Sequence, residues 1–140
     1  MSELFDADVN YLAVILAAVA AQVLGFLWYG PLFAEPWMRM RGYTRADAGG
    51  GGPAIYAIPV LTALLLAYVL ARLVDMVGAD DVGECIAVAA FCWLGFAATV
   101  QAGQINFSPK ATNKPGLFAV ESGYQLAIFA IAGAIIGAFQ

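Results

Sequence analysis

The sequence has no histidine, only two cysteines in 140 residues, and few charges, with Asp, Glu, Lys and Arg making up 11%. Each shortage excludes something. Without histidine and with two thiols, neither a zinc set nor a disulfide framework can be written, and no metal is expected. Cys85 and Cys92 stand two helical turns apart on one face, roughly 10 Å along the axis, too far to bridge each other. They read as small thiols of an apolar helix. There is no glycine-rich phosphate loop, nucleophile elbow, HExxH pair or paired carboxylates, so neither a cofactor nor an enzymatic activity is expected. Six basic residues against ten acidic ones give a net charge of -4 and no support for nucleic-acid binding.

What fills the chain is apolar. Ala, Val, Ile, Leu, Met, Phe, Trp, Tyr and Cys make up 63% of it, and charge falls far below the quarter or so of a soluble domain. A membrane protein crossing the bilayer several times is the expectation. At about 20 residues per span, one domain covering residues 1–140 has room for four helices. They are expected at about 10–29, 54–74, 85–105 and 117–139. The class is therefore all-α, a four-transmembrane-helix bundle whose main partner is the lipid bilayer. The residues before Val9 carry Glu3, Asp6 and Asp8 but no basic residue, so no cleavable signal is expected and the first helix stays.

The first span ends in Gly25-Phe-Leu-Trp-Tyr-Gly-Pro-Leu-Phe-Ala-Glu-Pro-Trp37. Trp28, Tyr29 and Trp37 suit the headgroup level, where an apolar ring with one polar edge is at home, and Pro31 removes a backbone donor. These three are expected as interfacial anchors. A short interfacial helix should follow from Pro36, with Arg39 and Arg41 as cationic tips. Thr44 and Asp47 have capping-box spacing for one more turn, and Gly49 to Gly52 form a linker.

Small residues recur every four positions on three of the four spans. Ala17, Ala21 and Gly25 lie on the first, Gly95, Thr99 and Gly103 on the third, and Gly133 and Gly137 on the fourth. Such stripes let backbones approach closely, so they are read as helix-packing faces and as a basis for homo-oligomers. Of the six basic residues, Arg39, Arg41, Arg45, Lys110 and Lys114 fall in the loops at 30–53 and 106–116, and only Arg72 lies on the other side. The positive-inside rule then puts those loops in the cytoplasm and both termini outside the plasma membrane.

Polar residues within the spans gather toward the basic-loop side: Gln22, Thr62, Gln101, Gln104, Glu121 and Gln125. Glu121 is the one ionisable residue well inside a span, and such carboxylates are costly and often functional. If these groups face one another, they form a polar site closed on the far side by a dry layer. Two readings follow. Glu121 either orients its helix by reaching the headgroups or Lys114, in a structural or interaction protein, or it serves a proton, cation or small solute entering from the cytoplasm. The sequence favours the first.

Asn10-Tyr-Leu-Ala-Val14, the segment Leu27-Trp-Tyr-x-Pro-Leu-Phe33 with Pro36-Trp-Met38, Trp93-Leu-Gly-Phe96, Leu117-Phe-Ala-Val-Glu-Ser-Gly-Tyr124 and Gly133-Ala-Ile-Ile-Gly137 together resemble the DUF1761 family, a domain family of unknown function. The resemblance spans nearly the whole chain. It implies a small prokaryotic integral membrane protein of four helices, and it transfers no catalytic residues.

Overall fold

The computed structural model describes residues 2, 8–48 and 52–140. Glu3, Asp6 and the glycines at 49–51 lie outside them. In chain order the elements are α1 (Tyr11–Leu27), which passes into a π-helical turn at Trp28–Leu32, α2 (Ala34–Arg41), α3 (Arg45–Ala48), α4 (Ala54–Val77), α5 (Val82–Cys92), a π-helical turn at Trp93–Ala98, α6 (Thr99–Asn106) and α7 (Lys114–Ala138). Among the described residues there is no strand. Four stretches are long and apolar enough to cross a membrane: Tyr11–Leu32, Ala54–Val77, Val82–Asn106 and Lys114–Ala138.

Side chains fix the starts of these helices. Asn10 accepts the amide of Ala13 at 3.2 Å, Asp81 that of Glu84 at 2.8 Å, and Asn113 that of Gly116 at 3.0 Å, each satisfying an amide that has no partner within the helix. Two ends use a left-handed glycine. Gly42 closes α2 at φ 76° and Gly78 closes α4 at φ 77°, a backbone region that side-chain-bearing residues avoid. The Thr44–Asp47 pair is present as well. Asp47 accepts from the Thr44 amide at 2.8 Å and the Thr44 hydroxyl at 3.0 Å, and these bonds hold its carboxyl below the usual range.

Beside Pro31 the helix of the first span widens into a π turn and breaks at Gly30, whose φ of -109° and ψ of -105° are not helical. Glycine allows that excursion, and the missing proline donor removes one ladder bond. The two basic loops lie side by side. The Thr112 amide donates to Met40 O at 2.9 Å and its hydroxyl to Arg39 O at 2.9 Å, and a Cβ on Gly42 would run into the Lys110 carbonyl.

The bundle is dry at one end and hollow at the other. Near the Val77–Val82 turn, Val14, Leu70, Val74, Cys85, Ala89, Ala132 and Ile136 form one core. There the third and fourth spans nearly touch: a Cβ on Gly133 would stand 2.7 Å from Cys85 O, and one on Gly137 2.7 Å from Val82 Cα. Toward the basic loops the second span leans away, and residues 52–62 are exposed throughout. Ala21 is buried, and Gly25 lies under the Tyr124 hydroxyl, 2.9 Å from where its Cβ would be. The stripe on the third span behaves otherwise. Gly95, Thr99 and Gly103 are exposed, and among the described residues no atom beyond the helix's own neighbouring backbone lies within 4 Å of a Cβ built on either glycine. Among the described residues they pack against no other helix, because the third span turns its other face, with Cys85, Ala89 and Gln101, to the fourth.

Candidate functional site

Glu121 sits two turns into α7 and is buried, 6% exposed. A carboxylate in that position must gather donors or lose its charge. It gathers four. Oε1 accepts from the Trp37 indole at 3.0 Å and from Arg41 Nε at 2.8 Å, while Oε2 accepts from Arg41 Nη2 at 2.8 Å and from Gln101 Nε2. Arg41 thus grips both oxygens in the fork geometry that matches a carboxylate. Lys114, the partner suggested by the sequence, donates to Asn106 O at 2.8 Å. It lies seven residues before Glu121, about two turns nearer the loop, and caps the third span's end instead.

The short helix α2 therefore does not present both arginines outward as cationic tips. Trp37 and Arg41 are four residues apart, hence on one face, and that face docks on the fourth span. The three expected interfacial anchors make internal contacts. The Trp28 indole donates to Val120 O at 3.0 Å, and Tyr29 meets Trp37 and Tyr124 edge-on at ring distances of 5.2 and 5.1 Å. Trp93, at the start of the other π turn, donates to Ser122 O at 3.0 Å. All three tryptophans of the chain thus bond to residues 120–122, two to the carbonyls flanking Glu121 and one to its side chain. The sequence showed the rings and not their targets, since an indole N–H serves a headgroup and a helix carbonyl equally well.

The remaining polar residues line one cavity of about 910 Å³, whose wall includes Gln22, Gln101, Gln104, Gln125, Arg41 and Glu121. Gln125 donates to Gln101 Oε1 at 2.9 Å, and Gln101 in turn donates to Glu121. Gln22 donates to Pro59 O at 3.1 Å, holding the first span to the second. Gln104 lines the same space nearer the loop. Tyr124 donates to Ala21 O at 3.3 Å across the cavity's edge. Apolar side chains from the second and fourth spans complete the wall. Among the described residues, no group of three or more Cys, Asp or Glu is placed to hold a metal ion.

The family model described as Protein of unknown function (DUF1761) matches residues 12–137. The chain belongs to the DUF1761 family. No curated protein and no solved structure matches it. For this DUF1761 chain, membership agrees with four apolar helices and assigns no activity, so a functional reading rests on the site.

Proposed function

We propose that this chain binds a small solute in the cavity beside Glu121 and offers it a way into the membrane interior, the reading that the sequence placed second. The observation that carries it is the cavity itself, where the six polar span residues Gln22, Thr62, Gln101, Gln104, Glu121 and Gln125 line one space at a depth that apolar packing would otherwise fill. Its volume falls within the range of about 300–1,000 Å³ common for small-molecule sites. Glu121 serves here as the anchor of α2, since Arg41 grips both of its oxygens. No chemical step is included in the proposal. We read the basic loops at 30–53 and 106–116 as cytoplasmic, with both termini outside the plasma membrane; their side-by-side position supports putting them on one face.

Cysteine access tests the reading. Ala21 lines the cavity and is 6% exposed, whereas Ala13, 1% exposed, is not part of its wall. In membranes of a variant with both natural cysteines replaced by alanine, N-ethylmaleimide should alkylate Ala21→Cys and leave Ala13→Cys unmodified. Filling the cavity with Thr62→Phe should slow the reaction about tenfold or more, as a close-packed interior would. An unreactive Ala21→Cys, or one indifferent to Thr62→Phe, would contradict the proposal.

A second reading concerns assembly. The exposed Gly95–Thr99–Gly103 face has the composition of a helix-packing seam and no partner among the described residues, which supports a homo-oligomer joined along the third span.

A further inference from the structure

The cavity wall does not present its two charges equally. Arg41 and Glu121 both line it, but the side chain of Arg41 keeps 23% of its surface exposed and that of Glu121 only 8%. Glu121 is also the more fully engaged. Four donors meet its two oxygens, about as many as a carboxylate accepts. Arg41 gives it the edge made by Nε and Nη2, one side of a planar group with five N–H donors. A solute reaching this pair meets an accessible cationic donor beside a carboxylate that is already shielded.

The surroundings have the same sign. Arg39, Arg41, Arg45, Lys110 and Lys114 belong to this end of the spans with three acids, Glu35, Asp47 and Glu121, whereas the far end has Asp75, Asp80, Asp81 and Glu84 against Arg72. A field of this kind concentrates anions.

Charge balance limits the anion. A monocarboxylate on Arg41 puts two carboxylates on one guanidinium, and like charges at that distance do not both stay ionised away from water. The two therefore share one proton, taken from the water on the basic-loop side, and the complex is neutral. A dianion would leave a negative charge over, and a cation would add to Arg41 while the lone pairs of Glu121 are taken. Either imbalance is expensive at this depth. Besides Arg41, the titratable groups that line the cavity with Glu121 are Tyr29 of the π turn, Tyr56 of α4 and Tyr124 of α7, and phenols keep their protons at neutral pH.

The rest of the wall sets the body of the ligand. Phe26, Ile55, Ile58, Leu66, Ile128 and Phe129 make it apolar, and the exposed residues 52–62 leave that side open at span depth.

We infer that the cavity binds a monocarboxylate with an apolar body together with one proton, the carboxylate seated on Arg41 and sharing the proton with Glu121. This rests on the solute-binding reading above and names the class of its ligand. The apolar body lies along Ile55, Ile58 and Leu66.

Three probes with one body and different heads test it: 4-phenylbutyrate, 4-phenylbutyramide and 4-phenylbutylammonium. Each is titrated calorimetrically into the protein in phosphatidylcholine nanodiscs, with empty discs subtracted, in two buffers of different ionisation enthalpy so that protons are counted. At about pH 6, where the free acid is ionised, the carboxylate should bind saturably and about tenfold or more tighter than the other two, with about one proton taken up. The complex holds one proton more than its free partners, so affinity should fall about tenfold per pH unit as pH rises from there. Glu121→Gln should still bind the carboxylate, without proton uptake and without that slope. If that variant misfolds, Arg41→Met with Glu121→Gln, which strands no ion, should bind the three probes alike. Amide or ammonium bound as tightly as the carboxylate, or carboxylate bound without a proton, overturns this inference and leaves the cavity reading standing. Absence of saturable binding by any probe, with Ala21→Cys still blocked by Thr62→Phe, also overturns the inference alone. If Ala21→Cys does not respond either, the cavity reading falls with it.

Discussion

Arg41→Ala is expected to destabilise the folded bundle by about 3 kcal/mol, the lower end of the cost of breaking a buried pair. It leaves Glu121 buried and without its counter-charge, held by Trp37 and Gln101 alone. The lower end applies because the Arg41 side chain keeps 23% of its surface exposed. Removing the charge from both sides should recover most of the loss: Arg41→Met with Glu121→Gln has no ion to strand, and the glutamine amide still accepts from Trp37. Reversible unfolding in bicelles measures both variants. A single variant as stable as the parent would mean that the pair behaves like an exposed surface bridge, which contributes about 0–1 kcal/mol.

The second large effect is steric. Gly133→Val should cost about 3 kcal/mol, the upper end of overpacking penalties, because its Cβ would stand 2.7 Å from Cys85 O and 3.0 Å from Ala89 Cβ. The first obstacle is backbone, which cannot rotate aside. Gly95→Val has the same sequence context of a small-residue stripe and the opposite expectation. Among the described residues nothing beyond its own neighbouring backbone lies within 4 Å of its Cβ, so the fold should change by about 0.5 kcal/mol or less. If copies join along that face, Gly95→Val should instead shift the protein toward monomer in cross-linking or light scattering. Equal destabilisation by both valines would contradict the packing described here.

These two cases show what could be read in advance. Hydropathy located four spans, since twenty apolar residues in a row have few other uses, and the inner clustering of Gln22, Gln101, Gln104, Glu121 and Gln125 was visible as position along each helix. The small-residue period marked surfaces that permit close approach, yet a period names no neighbour: Gly133 faces Cys85, whereas Gly95 faces away from the chain. Long-range pairing was hidden for the same reason. Arg41 and Glu121 are 80 residues apart, and nothing local separates an arginine that points to headgroups from one that folds inward on the face it shares with Trp37. The π turn at Trp93–Ala98 has no proline to announce it, and Trp93 is recognisable as its opening residue only once its indole is seen on Ser122 O.

Arg41 reaches across to Glu121 and holds α2 over the cavity. Solid-state NMR of the protein in bilayers, with labelled Arg41 side-chain nitrogens and a labelled Glu121 carboxylate carbon, measures that contact directly. Strong nitrogen–carbon dipolar dephasing at neutral pH is the predicted result, matching two N–O bonds of 2.8 Å. Absence of dephasing would contradict the account, since α2 would then lie free of the fourth span and the polar wall of the cavity would lose its anchor.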